Sequence, residues 1–484
     1  MFNEAVKLFN EGKIKDSKII IESELKKNPK DNNNHYLLGL IYLKLNDTDN
    51  ALNSLSYAQL LDNSIRNSFA YAEALTKKRL FHKSVNCYEN ILLKDKYHEP
   101  TLVNLSYIYF LLEDYKKTES LLLKVISRNN INHVAYKNLG DLYRRINNFK
   151  KAMTNYEAAK KLDKNNQEID KGISLILLKQ KKYNEAWYYY ESRIYSRQNK
   201  GALFLKIKNN ILKDNQLNQK KMAVVSEQGL GENILFSSIY NDLIKINPST
   251  IFISDPRLKL IFTRSFKDFE FIDNSDSSKI DQLITENYKF IYAGSLGQYF
   301  RRSITDFSGK SFLKVDSQKV KKYKSFLTKQ GFKKYVGISW KSSAKNRGEK
   351  SVQLKNLLSL FDLKDIGFVN LQYGDNNNDL KDINLLEKII NISDLDLYNE
   401  IDDVIALIKC LDLVVTTPNV NVHFAGAIGK SCMVLSPLYN EVFMYSDLND
   451  GKCEWYKNQK TMVIENNLEK KIEIIIQELN LNKF

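Results

Sequence analysis

His35-Tyr36-Leu37-Leu38-Gly39-Leu40-Ile41-Tyr42 and Tyr136-Lys137-Asn138-Leu139-Gly140-Asp141-Leu142-Tyr143 share one pattern: a ring, then Leu-Gly after two residues, then Tyr after two more. Leu102-Val103-Asn104-Leu105-Ser106-Tyr107-Ile108-Tyr109 is a close variant. Working outward, small residues recur at Ser17, Ala51, Ser84, Thr118, Ala152 and Ala186, spaced 34, 33, 34, 34 and 34 residues apart. Three residues ahead of the last four stand Phe81, Tyr115, Phe149 and Tyr183. Four residues behind the six stand Ile21, Leu55, Tyr88, Leu122, Tyr156 and Tyr190. A small residue at fixed spacing lets two helices cross closely, and large residues around it fill the gap to the next pair. One helix hairpin cannot bury its apolar face; six stacked hairpins can.

This pattern resembles the tetratricopeptide repeat (TPR). It predicts an α-solenoid of six helix hairpins over residues 1–200, and the resemblance implies a protein or peptide partner in its concave groove. The aromatic run Trp187-Tyr188-Tyr189-Tyr190 reads either as a recognition surface or, as aromatic clusters on helices usually do, as the closure of the last hairpin packed on the next domain; the second is the expectation.

The whole chain has 484 residues, 43% of them apolar, enough for several cored units. Its 28 Tyr and 24 Phe exclude disorder by composition. The formal charge is +16, and residues 314–350 carry twelve basic side chains against Asp316 and Glu349. That stretch reads as a solvated linker or as an attractor for a phosphorylated ligand. No Arg-rich element is interleaved with base-stacking aromatics, so nucleic acid is not an expected partner. Cys87, Cys410, Cys432 and Cys453 lie far apart with no CxxC, which predicts neither a structural metal nor a disulfide framework. The start, Met1-Phe2-Asn3-Glu4-Ala5, lacks the features of a signal peptide, and no apolar run is long enough to span a bilayer. A cytoplasmic location is expected.

Beyond a polar linker at 201–221 the periodicity changes. Short apolar runs at 222–226, 250–254, 269–272 and 289–293 read as buried strands, with helices at 234–246 and 256–265 between them. A second set has strands at 335–340, 367–372, 413–417 and 431–435, with helices at 354–361, 404–411 and 422–428. Alternation of this kind predicts two parallel-sheet α/β units, 222–330 and 331–484, binding ligands at the carboxyl ends of their strands.

Three loops lie at such ends. Ser226-Glu227-Gln228-Gly229-Leu230-Gly231-Glu232 leads into a helix, where Gly229 and Gly231 would let backbone amides approach an anion. Glu232 falls on that helix's first turn, facing the cleft or simply complementing the helix dipole. In Ser339-Trp340-Lys341-Ser342-Ser343, Lys341 and the hydroxyls could hold a diphosphate. Thr416-Thr417-Pro418-Asn419-Val420-Asn421-Val422-His423-Phe424-Ala425-Gly426 is a strand end, a turn and a helix start, again suited to phosphate, with His423 either a ligand group or a structural residue.

In their order these segments resemble TPR-linked glycosyltransferases related to the ADP-heptose:lipopolysaccharide heptosyltransferases and, more distantly, the O-linked N-acetylglucosamine transferases. The resemblance rests on Ser226-Glu-Gln-Gly-Leu-Gly231, Val336-Gly-Ile-Ser-Trp340, Asn370-Leu-Gln-Tyr-Gly-Asp375, Asp412-Leu-Val-Val, Val422-His-Phe-Ala-Gly-Ala-Ile-Gly-Lys430 and Glu454-Trp455-Tyr456. It implies a GT-B-like pair of α/β units, with acceptor on the 222–330 side and nucleotide sugar on the 331–484 side. It also implies a metal-independent transfer from a nucleoside diphosphate sugar, which is a substrate, so no cofactor is expected. Carried over by position, Glu232 takes the place of the base, where relatives more often have Asp. Lys341, Asn421, His423 and Gly426 surround the donor diphosphate, Gln372 lies near the nucleoside, and Gly229, Gly231, Ser339 and Asn419 complete the nucleotide-sugar site. The alternative is a non-catalytic TPR scaffold with a degenerate transferase-like domain.

Overall fold

In the computed structural model, small side chains sit where neighbouring helices cross. Ser17, Ala51, Ser84, Thr118, Ala152 and Ala186 are all buried. The structure describes residues 1–195, 202–212, 217–227, 229–267, 270–342, 351–374, 377–381, 388–437, 451–464 and 467–481. The chain divides into two compact units, Met1–Ile169 and Asp170–Phe484.

The first unit is a TPR solenoid of consecutive antiparallel helix pairs: Phe2–Asn10 with Ile14–Lys27, Asn32–Lys44 with Thr48–Leu61, Ile65–Lys77 with Phe81–Lys94, Glu99–Leu111 with Tyr115–Arg128, and His133–Arg145 with Phe149–Leu162. Where the small residue is polar its hydroxyl donates to a carbonyl of the facing helix, Ser17 to Ala5 O at 2.8 Å and Ser84 to Ala72 O at 2.9 Å. The turn inside each pair reverses through a left-handed residue: Gly12, Asn46, Arg79, Glu113 and Asn147. Asp47, Asp114 and Asn148 then cap the second helix by accepting a hydrogen bond from the third residue on.

A sixth pair, Gln167–Lys179 and Tyr183–Tyr190, has the same form, but its residues from Asp170 onward belong to the second unit. The reason is the aromatic run. Trp187 is buried with its ring against Gly297, and its Nε1 donates to Arg301 O at 2.6 Å. Lys181 and Tyr183 both reach the Glu454 carboxylate.

The rest of that unit carries two parallel sheets. The first contains β1 (Met222–Val225), β2 (Ile251–Ser254), β3 (Glu270–Asp273) and β4 (Lys289–Tyr292), in the order β3-β2-β1-β4. The second contains β5 (Lys334–Ser339), β6 (Ile366–Asn370), β7 (Ile389–Ile390), β8 (Leu413–Thr416), β9 (Cys432–Pro437) and β10 (Gln459–Ile464), in the order β10-β9-β8-β5-β6-β7. Neighbouring strands in both sheets pair in parallel. Each sheet has its own core: Ile253, Ile272 and Phe290 in the first, and Ile338, Phe368, Val415, Leu435 and Ile475 in the second.

Several segments depart from the sequence expectations. The helix expected over 234–246 is two helices, Leu230–Ser237 and Tyr240–Ile246. Part of the supposed linker at 201–221 is packed: it holds a helix, Ala202–Ile207, and Ile211 bridges to Phe290 beside β4. Residues 201 and 213–216 lie outside the described residues. The basic stretch 314–350 is not simply a linker either. Its first half forms the helix Ser317–Thr328, where Lys319 pairs with Asp402 at 2.9 Å and with Asp403 at 2.5 Å; residues 343–350 lie outside the described residues. β7, β10 and the helices Ser277–Thr285 and Leu468–Asn480 were not anticipated.

Candidate functional site

The second sheet runs from β5 outward to β7, then returns to build β8, β9 and β10 on the other flank of β5. The adjacent carboxyl ends of β5 and β8 are therefore a topological switch point, where open α/β sheets leave a crevice. Ser339 and Thr416 are register partners at this point, and their hydroxyls lie 2.6 Å apart. Asn419 caps the helix Val420–Ala427, its Oδ1 accepting from Asn421 N at 2.9 Å. The amides of Asn419 and Asn421 both donate to Ser339 Oγ, each at 3.0 Å, and Asn421 also donates to Leu371 O at 3.0 Å. Gln372 Oε1 accepts from Trp340 N and Lys341 N at 3.0 and 2.7 Å. The structure thus brings together Ser339, Gln372, Asn419, Asn421 and the Lys341 backbone. Their buried polar groups bond to one another and fix the segments that follow β5, β6 and β8. The Lys341 ammonium pairs with Asp379, which also accepts from Trp340 Nε1 at 3.0 Å.

The first sheet repeats the topology. It runs from β1 outward to β3, and β4 returns to the other flank of β1, so the switch point lies between the ends of β1 and β4. Glu227, just past β1, is buried there. Its Oε1 accepts from Gly294 N at 2.7 Å and from Arg193 Nη2 at 2.7 Å. Arg193 also reaches Glu191 at 3.0 Å and Ser295 Oγ at 3.2 Å, and its guanidinium lies 4.2 Å from the centre of the Tyr190 ring. Burial works against the Arg193 charge, but Glu227 and Glu191 outweigh it and raise its pKa above the usual range. Neither Glu227 nor Arg193 was singled out in the sequence. The available signal was a charge placed directly after the apolar run 222–225, where it needs a partner.

The helices that leave β1 and β8 pack on each other. Leu230–Ser237 begins at Gly229, and its Gly231 lies against the His423 ring of Val420–Ala427, so close that a Cβ on Gly231 would fall 2.6 Å from Cδ2. Glu232, on the first turn, is exposed, and Gly229 beside it is exposed too. His423 is buried, its Nδ1 3.1 Å from Tyr456 Oη, and burial pushes its pKa down to about 3. It is therefore a neutral ring near pH 7, with no charge to offer a diphosphate. Gly426 lies against the Tyr456 ring, where a Cβ would fall 2.3 Å from Cγ. Three buried polar atoms around the switch points have no hydrogen-bond partner among the described residues: Thr417 Oγ1, Asn233 Oδ1 and Ser254 Oγ. Atoms of the same kind occur in the repeats, at Asn32, Asn34 and His133, so they do not by themselves mark a site. Among the described residues no group of His, Cys, Asp and Glu is placed to hold a metal ion, and no helix is long and apolar enough to cross a membrane.

The architecture therefore defines a TPR-bearing chain with an α/β region of parallel sheets. The tetratricopeptide repeat family pattern matches residues 33–64 and 134–166. Protein FlbA of Caulobacter vibrioides is similar, 27% identical over 308 residues, which cover 60% of this chain and 51% of FlbA. The chain spans about half the length of that relative. A match of 60% exceeds the 200 residues of the repeats, so the similarity extends into the α/β region. Among solved structures, a tetratricopeptide repeat protein from Parabacteroides merdae matches 59% of this chain and 96% of its own at 14% identity, with a TM-score of 0.38. TTC0263, a TPR protein of Thermus thermophilus, matches 37% of this chain and 97% of its own at 18% identity, with a TM-score of 0.32.

Proposed function

We propose that the chain is a glycosyltransferase that moves a sugar from a nucleoside diphosphate sugar to a protein or glycan acceptor, with the repeats recruiting the acceptor or a partner. One observation carries this reading: the helices that leave β1 and β8, one at the switch point of each sheet, meet at Gly231 and His423. A ligand held between two parallel sheets is the arrangement that the GT-B resemblance implies.

In this reading the donor diphosphate lies at the start of Val420–Ala427, where backbone amides and the helix dipole favour negative charge. Lys341 turns from Asp379 toward it. Ser339, Asn419, Asn421 and Gln372 act by fixing the loops, and His423 acts as a neutral wall. Exposed Glu232 takes the acceptor hydroxyl's proton, the oxygen attacks the anomeric carbon with inversion, and the nucleoside diphosphate leaves.

The self-satisfied polar network and the Lys341–Asp379 pair favour the second reading, a TPR scaffold with a degenerate transferase-like domain. Calorimetric titration with UDP, GDP, ADP and their sugar conjugates separates the two. Binding of one nucleotide that is weakened in Lys341→Ala, with transfer abolished in Glu232→Gln, supports the enzyme. A folded protein that binds none of them supports the scaffold.

A further inference from the structure

A buried arginine, brought in from the end of the last repeat, occupies the switch point of the first sheet. Arg193 lies on the short helix Ser192–Tyr195, directly after Tyr183–Tyr190. It is 7% exposed and Glu227 8%, so both charges have left bulk water. Each is compensated in detail. Glu227 takes the guanidinium and the Gly294 amide, and Arg193 takes Glu227, Glu191, Ser295 and the Tyr190 carbonyl. Desolvating such a pair costs nearly as much as its attraction returns, so net stability is a weak reason for its presence. Its geometry suggests another one.

Most of what the pair touches leads to the helix Leu230–Ser237. Glu227 lies in the turn that precedes it. Gly294 and Ser295 belong to the short turn Ala293–Leu296, which packs on that helix. Tyr190, under the guanidinium, sets its ring 6.4 Å from that of Phe236, on the same helix. Gly294 shows how tightly the position is specified: a Cβ there would lie 2.6 Å from Glu227 Oε1 and 2.7 Å from Arg193 Nη2. The helix held in this way is the one whose Gly231 covers His423 and whose first turn carries Glu232.

We propose that Arg193 is a positioning residue for the cleft: from the end of the last repeat it grips Glu227 and the 293–296 turn, and so seats Gly231 on His423. The consequence for catalysis, the placing of Glu232, rests on the glycosyltransferase reading; the seating itself does not.

The test reads the seating in the full chain. With only five histidines, the His423 ring is resolvable by ¹⁵N-edited NMR. The wild type is expected to keep the buried ring neutral, without a titration step between pH 5 and 7, because burial lowers its pKa. The double variant Arg193→Met/Glu227→Met removes the two buried charges together; Glu191, 32% exposed, is left to water, and the Gly294 amide loses its acceptor. The expected result is a protein that still melts cooperatively but in which the His423 ring shifts and titrates between pH 5 and 7, because the loosened helix admits water. A folded double variant with a wild-type His423 signal overturns the proposal, since a purely structural pair would change stability and not that ring. If the double variant does not fold, Arg193→Lys is read in the same way. Lysine keeps the charge but lacks the fork that spans Glu227, Glu191 and Ser295, so a shifted His423 signal supports the proposal and an unchanged one overturns it. A wild-type protein that transfers no sugar would remove the glycosyltransferase reading and leave the His423 result unaffected.

Discussion

Gly231 lies so close to the imidazole of His423 that a Cβ would come within 2.6 Å of Cδ2 and 2.9 Å of Nε2. The two helices that leave the switch points therefore touch through a residue without a side chain and a flat ring. Gly231→Ala should push them apart and cost about 1–3 kcal/mol, the usual range for overpacking. The denaturant midpoint measures it. His423→Ala made in the Gly231→Ala background should recover part of the loss by making room. A Gly231→Ala protein as stable as the wild type would mean that the contact is slack.

His423 also predicts a pH dependence. Its folded pKa of about 3 lies below the ordinary 6.5, so between those values the unfolded chain holds a proton that the folded chain does not. Stability therefore falls as pH falls from about 6.5 toward 3, by about 1.4 kcal/mol per pH unit at most. Acid also weakens native carboxylate pairs such as Arg264–Asp402, where burial opposes the Asp402 charge but its partners outweigh it and lower its pKa. The informative quantity is thus the difference between wild type and His423→Gln. Urea unfolding at pH 7, 6 and 5 should show the wild type losing more stability than the variant at each step. Parallel losses would mean that His423 titrates in the folded state.

The solenoid was legible because its constraint is local: a small residue must stand where two helices cross, and the chain repeats the demand every 33 or 34 residues. Both central strands of each sheet were legible as short apolar runs. The helix Ser317–Thr328 was hidden because it is rich in lysine and its buried side chains are only Tyr323 and Leu327. β10 was hidden by its polar Gln459-Lys460-Thr461 start. At the site, sequence pointed to the loops containing Ser339, Gln372, Asn419 and Asn421, which the fold does gather. It did not give their roles, because side chains that converge from separate strand ends bond to one another first. Arg193 and Glu227 stayed hidden because they are 34 residues apart and meet only once the repeat has docked.

Trp187 measures how much of the second unit's stability comes from that docking. Its ring is buried against Gly297 and stacked on Tyr183, with Nε1 bonded to Arg301 O. Trp187→Ala should cost about 3–5 kcal/mol, as large core truncations do. Trp187→Phe should cost less, about 1–3 kcal/mol, because it keeps an aromatic ring but leaves a buried carbonyl unpaired. Tyr188, next in sequence, is 78% exposed, and Tyr188→Ala should stay within about 0.5 kcal/mol. Equilibrium unfolding monitored by circular dichroism tests the ranking, and equal effects at 187 and 188 would refute it.

Thr417 separates a ligand-binding cleft from a merely folded one. Its hydroxyl is buried at the end of β8 and has no hydrogen-bond partner among the described residues. Valine has nearly the same shape and no hydroxyl, so Thr417→Val removes an unsatisfied polar atom. The free protein should be as stable as the wild type or slightly more so. If the hydroxyl awaits a ligand, the nucleotide that binds the wild type should bind the variant about tenfold more weakly, since one hydrogen bond contributes about 1.4 kcal/mol. Thermal melting of the free protein and calorimetry with that nucleotide give the two numbers. Lower stability with unchanged affinity would show that the hydroxyl serves the fold, through a bound water, and would move the ligand away from the β8 end.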